Sequence, residues 1–228
     1  MKYIKKGEEP EIFSAWKAQA NDEWTPKWHN LQSPEKPAVH KALLREQGYI
    51  CCYCGGRINQ KESHIEHLKP RDRFEELELE YSNFLASCPG YPEDEDEQAN
   101  PEPRKTSPPA THCGHKKGNW YEPELMVSPL QENCASYFAY SGSGQILPSS
   151  DPAMQPAAKE TIERLGLDSP DLEDGRRNAI QTLLPVLDGL TPEEIQKLIV
   201  GYEQPDSDGK YVRYCAAIAY ILREYFLT

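Results

Sequence analysis

The sequence predicts an α+β chain, with a small cysteine-braced β module set inside a larger, mainly helical protein. Two features of the first half and one of the second predict this. Cys51-x-x-Cys54 and the distant Cys88 and Cys113 bracket a short β-prone stretch, Ile65 to Leu68. A run rich in proline and acid, near 89–112, interrupts that module. After Pro148 apolar residues recur at helical spacing as far as Leu227.

Residues 1–40 mix Trp16, Trp24 and Trp28 with Pro10, Pro26, Pro34 and Pro37, so one short helix near 10–20 is expected amid turns. Val39 to Gln47 reads as a helix with Val39, Leu43 and Leu44 on one face and Gly48 as its stop. A hairpin is then expected between Tyr49–Cys52 and Ile65–Leu68, with the CxxC at its turn. Phe74–Leu85 is expected to be a helix or helix-like segment leading into Asn83, and a short helix to begin near Gly114–Asn119. Ser141-Gly142-Ser143-Gly144 reads as the turn of a hairpin joining Tyr137–Tyr140 to Gln145–Leu147. Helices are expected over 157–165, 172–187, 191–200 and 211–227. Thr191-Pro192-Glu193-Glu194 carries a cap, a first-turn proline and acids, in that order. The last helix is apolar on more than one face, which leaves it buried at the centre of the helical half or docked on another chain.

The 228 residues suffice for one large domain or two modest ones, and no apolar run approaches the roughly 18 residues that span a bilayer. Mean hydropathy is −0.76, yet 13 Tyr, 5 Phe and 4 Trp supply mass for a core. No membrane contact is expected. The N-terminus has basic residues without an apolar stretch behind them, and the cysteines cluster as CxxC. Both point to a reducing, cytoplasmic setting with metal-bound thiols in place of disulfides.

The net charge of −12 argues against a free-standing, tight binder of nucleic acid, since such affinity comes mostly from neutralising phosphates. The charge is unevenly spread. Glu93 to Glu97 is purely acidic, whereas Lys61, Lys69, Arg71, Arg73, Arg104, Lys105, Lys116 and Lys117 surround the cysteines in sequence. The acidic run reads as a solvated loop or as a phosphate mimic over that basic region. Either contact with nucleic acid is brief, or a partner supplies the missing positive surface.

Cys51 and Cys54 have the spacing for two thiolates to hold one ion from a tight turn, with Gly55-Gly56 free to wrap it. Cys88 and Cys113 would complete a structural Zn²⁺ site. Cys52 reads as a bystander, and Cys134 and Cys215 as buried small hydrophobes. Between the two cysteine pairs lies His64-Ile65-Glu66-His67, followed by Pro70. The helical His-Glu-x-x-His of a zinc protease is excluded, because these histidines are three apart with the acid between them. A strand ending at His67 fits better: His64 and Glu66 then share a face and His67 lies at the turn. A carboxylate beside an imidazole can hold a hard cation and activate a water, which points to metal-dependent hydrolysis of phosphodiesters.

The order CxxC, Glu66-His67-Leu68-Lys69-Pro70, Asn83, Cys88, Cys113 and a final His-Lys resembles the HNH endonucleases, whose core is a ββα-metal finger. The stretches LREQ before CCYCGG, SHIEHLKP, YSNFLASCPG and HCGHKKGN resemble in particular the PtuB nucleases of Septu anti-phage systems, relatives of which accompany some retrons. The resemblance covers roughly 40–130. It implies that His67 is the general base and Glu66 a ligand of one Mg²⁺ or Mn²⁺. It further implies that Asn83 pins the loop behind His67, that His115 completes the cation site, and that Lys116 or Lys117 meets a phosphate. The family pattern places the last ligand directly after the fourth cysteine, where this chain has Gly114. His115, Asn119 and His112 therefore all stand as substitutes, and His64 could touch the cation or a phosphate or orient the strand.

On that basis 1–40 is an N-terminal extension, 41–147 the HNH domain, and 148–228 a helical region for docking a partner. The resemblance implies an ABC-type ATPase partner, PtuA-like, in a hetero-oligomeric complex acting on DNA. Two rivals are a zinc-stabilised, non-catalytic adaptor and a stand-alone restriction-type nuclease.

Overall fold

Pro10 starts the first helix, α1 (Glu11–Lys17), whose Phe13 and Trp16 stack at 5.9 Å and turn inward. The computed structural model describes residues 1–90 and 112–227; the acidic run 93–97, Arg104 and Lys105 lie outside the described residues. Helix α2 (Glu35–Glu46) begins before the expected Val39, because Pro37 falls in its first turn, where a missing N–H costs nothing. It buries Val39, Leu43 and Leu44 as its spacing predicts. Gly48 ends it at φ +56°, and a Cβ there would meet the Tyr211 ring at 2.3 Å.

The hairpin differs from expectation. Strand β1 (His64–His67) pairs antiparallel with β2 (Phe84–Ser87), in register Glu66 to Leu85 and His67 to Phe84. Residues 74–85 form no continuous helix; two short 3₁₀ turns, Glu75–Leu77 and Tyr81–Asn83, lead to Asn83, and Phe84 and Leu85 then enter β2. All four β2 residues are buried, so the alternation that betrays a strand is absent from the sequence. Tyr49–Cys52, the expected partner, is used up by the CxxC turn: Cys51 N–H reaches the Gly56 carbonyl and Gly55 N–H the Cys51 carbonyl. Cys52 N–H donates to the Ala86 carbonyl at 3.1 Å, which ties that turn to β2.

Helix α3 (Cys113–Lys117) follows, then the expected second hairpin, β3 (Phe138–Tyr140) with β4 (Ile146–Pro148). The helical half comprises α4 (Gln155–Leu165), α5 (Pro170–Leu187), α6 (Pro192–Glu203) and α7 (Cys215–Phe226). Thr191 caps α6 as its sequence predicts, accepting from Glu194 N–H while the Glu194 carboxylate accepts from Thr191 N–H. Residues 211–214 are not helical. Their backbone is taken by the cysteine module, Tyr211 N–H to the Gly48 carbonyl and Tyr214 N–H to the Gly55 carbonyl.

One core joins the parts: Phe13, Leu43, Phe84 and Leu85 belong to the same buried cluster as Leu165, Ile180 and Ile221. A smaller cluster holds Leu183, Leu187, Ile195, Ile199, Ile218 and Leu222. Helix α7 feeds both, so its several apolar faces are explained by burial. Leu184, Val186, Val200 and Tyr225 remain exposed. Among the described residues, no helix is long and apolar enough to cross a membrane.

Candidate active site and sulfur cluster

The CxxC turn, the end of β2 and the start of α3 bring together the four expected cysteines. The Sγ atoms of Cys51, Cys54, Cys88 and Cys113 all lie within 4.8 Å of one another, Cys54 and Cys88 at 3.9 Å. A tetrahedral zinc at about 2.3 Å from each sulfur would set them about 3.8 Å apart, so the donor set fits. Backbone N–H groups already point at the sulfurs, Gly56 to Cys54 at 3.3 Å and Cys88 to Cys51 at 3.4 Å. Burial raises the Cys51 thiol, but hydrogen bonds from Cys113, Cys52, Cys54 and Cys88 outweigh it and bring it well below the usual thiol range. Cys113 is held well above that range, by burial first and then by Cys51. Four thiolates packed this closely need a cation between them. Cys52, Cys134 and Cys215 are buried outside this cluster, as expected.

Glu66, on β1, is buried, 7% exposed. Its Oε1 accepts from Lys117 Nζ at 2.8 Å and from the Tyr53 hydroxyl at 3.2 Å, while Oε2 lies 3.4 Å from His64 Nε2. Burial alone would raise its pKa, but the His64 hydrogen bond and the Lys117 ammonium prevail and keep it below the usual carboxylate value. Glu66 is thus a buried anion, ready for a cation. Lys117 is not available to a phosphate as expected: it is buried, and it donates to Glu66 and to the His67 and Gly118 carbonyls. Lys116, its neighbour, is exposed.

His67 ends β1, as its sequence predicts. Its ring is met edge-on by Trp28 (centroids 4.4 Å) and Phe84 (4.9 Å), and its Nε2 lies 3.0 Å from the Glu78 carbonyl. A carbonyl only accepts, so Nε2 carries the proton and the lone pair sits on Nδ1. Burial lowers its pKa to about 4, with Arg71 adding to the effect, so the imidazole is neutral at pH 7. Asn83 braces this loop. Its Oδ1 accepts from Lys69 N–H at 2.8 Å, and its Nδ2 donates to the Lys69 and Leu77 carbonyls.

The remaining candidates separate. His64 and His115 stack with centroids 4.2 Å apart and planes 4° apart, and His115 Nδ1 donates to the Pro89 carbonyl at 2.8 Å. Asn119 donates to Asp72 at 2.6 Å. His112 belongs elsewhere: it is buried against the sulfurs, its Nδ1 3.2 Å from Cys113 Sγ, and so leaves the list of substitutes for the cation ligand. His64, Glu66, His67, His115, Lys117 and Asn119 line one cleft of about 420 Å³, with Gly114 at its floor and Trp28, Lys36 and Arg71 on its walls. Trp28, Tyr53 and the Glu78 carbonyl escaped the sequence reading. Nothing in the spacing of Trp28 or Glu78 signals contact with His67, whereas Tyr53, inside the CxxC, lay close to a recognised motif.

One relative decides the family. The chain is 30% identical over 164 residues, 70% of its length and 71% of the relative's, to a Vibrio cholerae serotype O1 biovar El Tor protein named as the HNH endonuclease of retron Vc95. This chain belongs to the HNH endonuclease family. No family model matches it. For an HNH protein the mixed architecture of helices and small sheets is as expected, and so is a cysteine cluster able to hold a metal.

Proposed function

We propose that this HNH protein is a metal-dependent DNA endonuclease, with β1, β2 and α3 as its ββα-metal finger and Zn²⁺ in the sulfur cluster. The observation that carries this is His67: its Nε2 is committed to the Glu78 carbonyl, which leaves the Nδ1 lone pair on a neutral ring that shares a cleft with the Glu66 carboxylate. That is the state a general base needs at pH 7.

In this reading Glu66 holds Mg²⁺ or Mn²⁺, which supplies stabilisation for the charge on the departing 3′ oxygen. His67 Nδ1 takes a proton from a water that attacks phosphorus as the P–O3′ bond breaks. Asn83 and Glu78 keep the imidazole aimed, and Trp28 limits its rotation. Lys117 stays behind the site and keeps Glu66 ionised. Arg71, exposed on the cleft, and the exposed Lys116 beside Lys117 would meet phosphates of the substrate.

The overall acidity supports an effector that depends on an ABC-type ATPase for its hold on DNA, and the relative's retron name supports a place in an anti-phage complex. The exposed Leu184, Val186 and Val200 of α5 and α6 are offered as part of the docking face. The decisive experiment is nicking of supercoiled plasmid with Mg²⁺ or Mn²⁺, by the chain alone and with an ATPase encoded beside it. His67→Ala is expected to slow cleavage about 10²- to 10⁴-fold, the range for a lost general base. Equal rates for wild type and variant would dispose of the catalytic assignment of His67, and no cleavage by either would favour a zinc-braced adaptor. Full activity without any ATPase would favour a stand-alone nuclease.

A further inference from the structure

We propose that His64 is the imidazole that holds the divalent cation together with Glu66, and that Gly114 is a glycine to leave room for the pair. This rests on the metal-dependent reading above.

On a strand, residues two apart face the same way, so His64 and Glu66 emerge side by side from β1. Glu66 Oε1 is already taken by Lys117 and Tyr53, which leaves Oε2, and the atom beside it is His64 Nε2 at 3.4 Å. Adjacent ligands of an octahedral cation at about 2.1 Å lie about 3 Å apart, so the two need move only a few tenths of an ångström.

A cation bound through an imidazole lone pair lies in the plane of that ring. The His64 and His115 rings are stacked and parallel to within 4°, and two separate parallel planes share no point. Only one of the two histidines can therefore bind the ion in this arrangement. His115 is exposed and held by the Pro89 carbonyl; it backs the His64 ring from outside. Among the described residues the buried Nδ1 of His64 has no hydrogen-bond partner, so Glu66 is its main polar anchor.

Gly114 closes the case from the other side. A Cβ at that position would lie 2.6 Å from Glu66 Oε2 and 2.9 Å from His64 Nε2. Helix α3 thus approaches the pair as bare backbone, pinned by Gly114 N–H to Ser87 Oγ at 3.1 Å. The position after the fourth cysteine offers no ligand, and the strand provides one instead.

The test is Mn²⁺ titration of zinc-loaded protein without DNA, followed by the electron paramagnetic resonance signal of free Mn²⁺. His64→Ala and Gly114→Ala should each weaken Mn²⁺ binding by about tenfold or more, the second by crowding both ligand atoms, while His115→Ala stays within about twofold. Zinc content and circular dichroism report whether each variant is folded; if His64→Ala is not, His64→Gln and Gly114→Ala are read instead. Unchanged affinity in the folded His64 variant, or an equal or larger loss in His115→Ala, overturns the assignment. If the wild type takes up no Mn²⁺, the metal-dependent reading fails and this assignment with it; if only the variants disagree, this assignment alone fails.

Discussion

The sulfur cluster and the cleft are built from the same short elements, yet they are finished to different degrees. Helix α3 contributes Cys113 to one and Gly114 and Lys117 to the other; β1 and β2 frame both. The cluster is closed, with four sulfurs converging and backbone N–H groups aimed at them. The cleft is open. It holds a buried anion, an imidazole whose buried Nδ1 has no partner among the described residues, and a second imidazole committed to a carbonyl through Nε2. A structural metal site fills its coordination from the chain, whereas a reactive one keeps a position for substrate or water. The difference supports the proposal that the cluster holds the fold and the cleft acts.

The comparison breaks most severely if the cluster proves dispensable. Removing zinc by chelation, or Cys51→Ser, should unfold the module around it, since structural zinc contributes about 10 kcal/mol or more in small domains. Zinc analysis with urea denaturation checks this, and a Cys51→Ser protein with wild-type stability would remove the distinction. Next in size is Lys117→Met, which strips the buried Glu66 of its ammonium. Breaking such a pair costs about 3–5 kcal/mol, because the remaining charge is left uncompensated. The urea midpoint should fall while zinc stays bound; loss of zinc instead would mean that the two sites are one unit. The smallest effect is expected for Asn83→Ala, about 1–3 kcal/mol for its buried backbone partners left unpaired. It should also slow nicking, because the loop that presents His67 loosens. An unchanged cleavage rate would show that Glu78 and Trp28 suffice to aim the ring.

Much of this was legible in the chain itself, and the reason differs element by element. The helices of the second half follow from local periodicity and from the Thr191 cap, signals carried by a few adjacent residues. The cysteine positions follow from the chemistry of sulfur, which few other roles imitate. Strand β2 was misread because burial on both faces erases its alternation. The beginning of α7 was misread because residues 211–214 spend their backbone bonds on Gly48 and Gly55, more than 150 residues away. Lys117 looked like a phosphate ligand because a lysine in sequence carries no sign of being buried beside Glu66.

What the sequence by itself determined is the inventory: four thiols, one carboxylate, the histidines around it, and helices able to support them. Tertiary structure decided which atoms remain available. It committed His67 Nε2 to a carbonyl eleven residues on, turned Lys117 inward and laid His115 flat against His64. The physical reason is that residue type sets what a group can donate or accept, while occupancy of its lone pairs and protons depends on neighbours brought near only by packing.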